Sequence, residues 1–269
     1  MSFVIKPDRV KRCPKESAKK GVSMTTRFHQ LLAAIAALAG LSYELSASDQ
    51  PLPMLRQTNY LAVLPAAGEQ GEIILKAERY SPTYSDVLGF SLIGPDSSTL
   101  TRGEVWLGRE FALAIPAAPR GMHVVELQSG WNACRVDAQT TPSAFVAREI
   151  LPLHTARGVK RFFFYVPRGV RQFSVWLAAE TPGEGARVQI VGPDGRTVVE
   201  EEGDYDKPQA VRAEAPAGTD GSVWSLALLQ PRARGLNVDD VKLWLDSALP
   251  PYLSAREDWA LLFGKRKHP

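Results

Sequence analysis

The stretch from Lys160 to Val199 limits the possible folds more than any other, because its apolar residues recur at every second position and its breaks fall at turn-forming residues. Phe162, Phe164 and Val166 share one side of an extended segment. Pro167, Arg168 and Gly169 then supply a fixed φ and a residue free to take φ > 0, as a tight turn requires. Phe173, Val175 and Leu177 alternate with Gln172, Ser174 and Trp176, which is the period of a half-buried strand. Beyond Pro182, Gly183 and Gly185, the segment Arg187 to Val191 reads as another strand, and Gly192, Pro193, Asp194 and Gly195 turn it back into Arg196 to Val199. The order predicts a β-meander.

The same pattern occurs earlier in the chain. Ile73 to Glu78 matches Val175 to Glu180, each followed by a Pro-containing loop (Pro82, Pro182), and Phe90 to Asp96 matches Val188 to Asp194 through a shared Gly-Pro-Asp corner. Pro116 and Gly121 answer Pro216 and Gly221, Val136 and Asp137 answer Val238 and Asp239, and Ala147 to Glu149 answer Ala255 to Glu257. A period near 100 residues is a whole domain and not a solenoid unit. Each half holds short strands separated by Gly/Pro turns, with almost no helical periodicity, so the chain is expected to be all-β: two tandem antiparallel β-sandwich domains, jelly-roll-like. The expected bounds are a leader over 1–48, sandwiches over 49–153 and 154–253, and a helical, basic tail over 254–269. In the tail, Ser254 is expected to cap a helix with Glu257 three residues later and Trp259, Leu262 and Phe263 on one face.

Leu31 to Leu41 is an unbroken run of apolar and small residues, preceded by Met24, Arg27 and His29 and followed by Ser46, Ala47 and Ser48. That is the order of a secretory signal peptide, with a retained membrane anchor or a core helix as the alternative readings, and the run is short for a bilayer span. Export to the outside, the periplasm or the cell envelope is therefore expected, with no stable membrane span after cleavage. Residues 1–23 read either as a basic extension or as a start placed upstream of the true one. Residues 1–48 carry eight of the 32 Lys/Arg and three of the 29 Asp/Glu, leaving 24 against 26, so the net charge of +3 becomes about −2 for the remainder. A folded part without a basic excess argues against a nucleic-acid partner. Cys13 lies in the leader, so Cys134 has no mature partner for an internal disulfide and reads as a buried thiol.

No catalytic set emerges. His123 and His154 are the mature histidines outside the tail, neither is set beside a nucleophile and an acid, and Ser129-Gly130 lacks the preceding glycine of a nucleophile elbow. No phosphate-cradling glycine loop and no His/Cys group at zinc spacing is present. The expectation is a non-enzyme. A third reading, glycosidic chemistry by Asp204 and Glu214, requires the two carboxylates to face each other across a cleft. Glu200, Glu201, Glu202, Asp204 and Asp206 form an acidic group, with Asp204 and Asp206 the candidate calcium ligands; the competing reading is a solvated hairpin tip. Six Trp and a set of Tyr supply the other candidates, since exposed rings stack on sugars or partner side chains. Trp176, out of phase with its apolar neighbours, is the leading ligand-binding residue, followed by Tyr80, Tyr84 and Tyr205. Trp224 and Trp244, in apolar strands, are expected in the core.

The run Phe164 to Gly169, with Phe173, Ser174, Val175 and then Val191 to Arg196 and Val198, resembles secreted bacterial β-sandwich modules of the pre-peptidase C-terminal type. Trp224 to Leu226 and Leu249 to Ser254 are similar to the closing strands of accessory modules on large exported proteins. The resemblance implies a jelly-roll, galactose-binding-like fold and an exported, accessory role beside catalytic domains. Together these readings lead to an exported binding module for carbohydrate or another cell-surface polymer. The alternative is a cell-envelope assembly protein that meets other proteins through its sandwich faces and edges.

Overall fold

The computed structural model describes residues 52–266; the leader, Cys13 and the last three residues lie outside them. The described part is all-β with antiparallel sheets and one short helix. Its first half comprises β1 (Met54–Val63), β2 (Gly71–Glu78), β3 (Leu88–Ile93), β4 (Thr99–Val105), β5 (Glu110–Ile115), β6 (His123–Asp137) and β7 (Ser143–Val146). The second half comprises β8 (Leu153–Ala156), β9 (Val159–Val166), β10 (Gln172–Ala179), β11 (Ala186–Val191), β12 (Thr197–Gly203), β13 (Gln209–Glu214), β14 (Ser222–Leu229), β15 (Asp240–Leu245) and β16 (Tyr252–Leu253). The helix α1 (Glu257–Gly264) closes it.

The alternation in the sequence is the alternation of burial. Phe162, Phe164 and Val166 are fully buried on β9, and Phe173, Val175 and Leu177 on β10, while Ser174 and Trp176 face outward and are half-buried. The strands do not form a meander, however. The chain passes from β9, paired with β14, to β10, paired with β13 and β15, and then back to β11 beside β14. Strands with one apolar face gain more by crossing to the opposite layer than by pairing with their sequence neighbours, because crossing places two apolar faces against each other. Only β11 and β12 are paired in immediate succession within this stretch.

The pairing scheme of the first half recurs in the second. β2 lies between β5 and the end of β6 as β10 lies between β13 and β15, and β3 lies between β4 and the start of β6 as β11 lies between β12 and β14. The two Gly-Pro-Asp corners sit at the same place. Gly94 N–H donates to Ser98 O at 2.8 Å and Gly192 N–H to Arg196 O at 2.9 Å, and each Asp side chain accepts from the backbone two residues on. One proposed match shifts: Cys134 pairs with Ala77 where Val241 pairs with Ala179, so Val136 answers Leu243 and not Val238. The uninterrupted β6 of the first half corresponds to β14 and β15, which a loop separates in the second half, and that loop displaces the register.

The halves meet within one sheet, in the order β13-β10-β15-β8-β1-β6-β2-β5. At its centre Met54 pairs with Ala156 and Leu55 with Thr155. Asn59, fully buried, ties the seam: its Oδ1 accepts from His154 N–H at 2.8 Å and its Nδ2 donates to Arg56 O at 2.7 Å. A buried amide that satisfies two strands at once holds their register where Gln57, with φ of 58°, interrupts β1. On the other layer β7 pairs with β16, and Phe145 packs edge-on against Phe162 at 5.9 Å, joining the apolar interiors of the halves.

The C-terminal helix differs from its sequence expectation. It begins after Arg256, and no side chain caps it. Ser254 lies two residues before Arg256: it bridges to Phe163, donates its Oγ–H to Ser143 O at 2.9 Å and accepts from Arg256 N–H at 3.3 Å. Trp259, Ala260 and Phe263 are buried, whereas Leu262 is exposed. Among the described residues no helix is long and apolar enough to cross a membrane.

Because Phe162 fills the junction between the halves, Phe162→Ala leaves a cavity there and is expected to cost about 3–5 kcal/mol of unfolding free energy. Urea denaturation followed by tryptophan fluorescence checks this; a loss under about 1 kcal/mol would show that the junction is loosely packed.

Candidate ligand-binding face

The outward face of the long sheet carries the residues with binding chemistry. On β15, Val241, Leu243 and Leu245 point into the core, which leaves Asp240, Lys242 and Trp244 on the opposite side. Register places Trp244 directly across from Trp176 of β10. Their rings are parallel to within 7°, with centroids 6.0 Å apart. Both line an open groove of about 1010 Å³, Trp176 half-buried and Trp244 only 9% exposed, with Ala178, Leu249 and Pro251 as further apolar lining. One wall is the turn Arg148–Leu151, whose two end residues exchange both backbone hydrogen bonds at 3.0 Å and push Ile150 into solvent at 82% exposure. Asp246 fixes the end of the groove by accepting from Ser174 N–H at 2.5 Å and Ala248 N–H at 2.9 Å.

The first half has no such floor. Its counterparts to the two Trp, paired in the same register, are Ile74 and Asp137. The neighbouring outward side chains are locked in ion pairs, Lys76 with Glu110 at 3.0 Å and Arg135 with Glu78 at 2.8 Å.

A second group of rings lies at the seam. Arg56, only 3% exposed, forms an ion pair with Asp240 and sits beneath three aromatic side chains: Tyr80 at 4.3 Å, Tyr84 at 5.8 Å and Trp131 at 5.8 Å. Packing a guanidinium under rings satisfies its charge without water. Burial pushes the Asp240 carboxyl up to about 6, with Arg56 pulling the other way, and burial also raises Asp239. Beside it, Lys242 pairs with Glu180, and His154 Nδ1 lies 3.9 Å from the same carboxylate. Burial first, and Lys242 second, depress His154 to about 4.

The sequence candidates thus separate. Trp176 lines the groove, and Tyr80 and Tyr84 come together around Arg56. Tyr205 does not present a ring. It is 3% exposed and packed in the core, and burial together with Glu201, Glu202 and Asp204 raises its hydroxyl to about 12. Its place beside the acidic group suggested an exposed side chain, but the ring is buried, at a backbone position with φ of 51°. Asp204 and Asp206 are exposed, and among the described residues no group of three or more His, Cys, Asp or Glu is placed to hold a metal ion. The neighbouring Glu200 instead pairs with Arg187 at 3.1 Å and Arg232 at 2.9 Å, and Glu202 accepts from Ala233 N–H. Cys134 is buried and its thiol is raised to about 12 by desolvation, while Trp224 fills the core.

Arg56 was not a sequence candidate, and Trp244, expected in the core, is buried at 9% exposure but lies against Trp176 on the groove side of β15. The alternation of Val241, Leu243 and Leu245 sets Trp244 on the side of β15 away from the core residues, but its partnership with Trp176 depends on strand register, which the sequence does not display. No protein-family model matches the chain, and comparison with curated proteins likewise finds no match.

The sign of the His154 effect follows from its depressed value. Above an unfolded value of roughly 6.5 both states are neutral; below it the unfolded chain takes a proton that the fold refuses, so stability falls as pH drops toward 4. The raised Asp240 acts in the opposite sense over roughly pH 6 to 4. Comparison of the unmodified protein with His154→Gln isolates the histidine. The variant is expected to lose roughly 2–3 kcal/mol less between pH 7 and 4.5 in urea titrations, and equal losses would place His154 in water.

Proposed function

We propose that the protein is an exported, non-catalytic binding module that recognises carbohydrate on a cell-surface polymer. On this reading its body is two tandem, jelly-roll-like sandwich copies of one unit, similar to the pre-peptidase C-terminal modules, and export rests on the leader. One observation carries the binding reading. A half-buried tryptophan, Trp176, stacked on the buried Trp244, lines an open groove in one copy alone. An indole offers a flat apolar surface on which the C–H face of a sugar ring packs, while the sugar hydroxyls reach the polar rim formed here by Arg148, Glu149 and Lys242. Binding of this kind needs no titratable pair set for bond cleavage.

Retention on insoluble polysaccharides and a glycan array, with the unmodified protein and Trp176→Ala, test the reading. The substitution removes the outer ring of the stacked pair, so affinity for the retained glycan is expected to fall at least tenfold with the fold intact by circular dichroism. Capture of an envelope protein that persists unchanged in Trp176→Ala, with no glycan retained, would favour the assembly role instead.

A further inference from the structure

The groove and the ring cluster at the seam lie on one face of one sheet. Trp244, Lys242 and Asp240 alternate outward along β15, Asp240 contacts Arg56, and Arg56 lies against Tyr80, Tyr84 and Trp131. Four residues of strand separate Trp244 from Asp240, roughly 13 Å. We infer that the ligand is an extended, neutral glycan chain that runs across this face and stacks at both ends, on Trp176/Trp244 and on Trp131 with its tyrosine neighbours. The inference rests on the carbohydrate reading of the groove and specifies its ligand.

Three features lead to it. Trp131 is 58% exposed, its backbone N–H donates to Asp86 Oδ2 at 3.0 Å, and its ring lies against Tyr84 with centroids 6.2 Å apart and against Arg56 at 5.8 Å. A large exposed ring with neighbours on one side and an anchored backbone loses less freedom when something stacks on it than a free side chain would. The strip between the two ring groups is polar and holds two ion pairs, Arg56 with Asp240 and Lys242 with Glu180, with the exposed Arg157 against Tyr80 at its edge. Paired charge within the strip gives little field to attract a polyanion, while Lys242 and Glu180, each about a third exposed, still offer hydrogen bonds to hydroxyls. Finally, the sequence of surfaces is apolar, polar, apolar. A protein partner or a bilayer surface would favour one continuous apolar patch, whereas a sugar chain presents ring faces and hydroxyls in alternation.

Titration calorimetry of the full chain with neutral cello-, xylo- and chito-oligosaccharides of two and six sugars tests this, using Trp131→Ala and Trp176→Ala beside the unmodified protein. A six-sugar chain is expected to bind at least tenfold more tightly than its two-sugar counterpart. Trp131→Ala should abolish that gain and leave two-sugar binding intact, whereas Trp176→Ala should weaken both. Equal affinity for both lengths, or six-sugar binding unaffected by Trp131→Ala, would overturn the extended site while leaving the groove as a sugar site. Absence of binding to every neutral oligosaccharide would end both readings.

Discussion

The antiparallel pairing of β1 with β8 is the contact on which the rest of the structure depends. It is short, two residue pairs around Leu55 and Thr155, and it turns two sets of strands into one sheet. Without it the groove of the second half and the rings of the first would belong to separate faces. The pairing is reinforced from both sides: Thr155 donates its Oγ–H to Val241 O at 2.9 Å, and Asn59 satisfies backbone groups on both seam strands. Buried polar groups of this kind specify register, because any slip leaves them unpaired in a low-dielectric interior.

On the outer face of that seam the protein keeps a charge out of water. Arg56 is enclosed by an acid and three rings, and the carboxylate that meets it comes from the other half of the chain. Removing either partner would strand its counterpart. The arrangement explains why Tyr80, Tyr84 and Trp131, distant in sequence, are held together at the surface. It also explains the asymmetry between the halves: the repeated pairing scheme supplies the sheet, while the residues placed on its outer face differ, Ile74 and Asp137 in one half against Trp176 and Trp244 in the other.

How much of this the sequence revealed follows from the range of each interaction. Strand identity and facing are local, and the alternation around Phe162 and Phe173 assigned both correctly. The Gly-Pro-Asp corners were legible for the same reason, since their hydrogen bonds close within five residues. Pairing is not local, and the expected meander gave way to strands that cross between layers. Tyr205 shows the limit at a single side chain: a polar neighbourhood in sequence does not reveal a ring buried at a backbone position with positive φ. Trp176 was visible because its phase is written in its own strand, whereas its partner Trp244 and the cation beneath Tyr80 depend on which strands lie side by side.

If the seam makes one cooperative body, its amides open only when the whole sheet does. Native-state hydrogen exchange measures this directly at Leu55 and Thr155 against core amides such as Leu127 and Val175. The account predicts equal protection at all four, with the same dependence on added denaturant. Faster exchange at Leu55 and Thr155 through a partial opening, with Leu127 and Val175 still protected, would show two bodies merely in contact and would contradict a single continuous sheet.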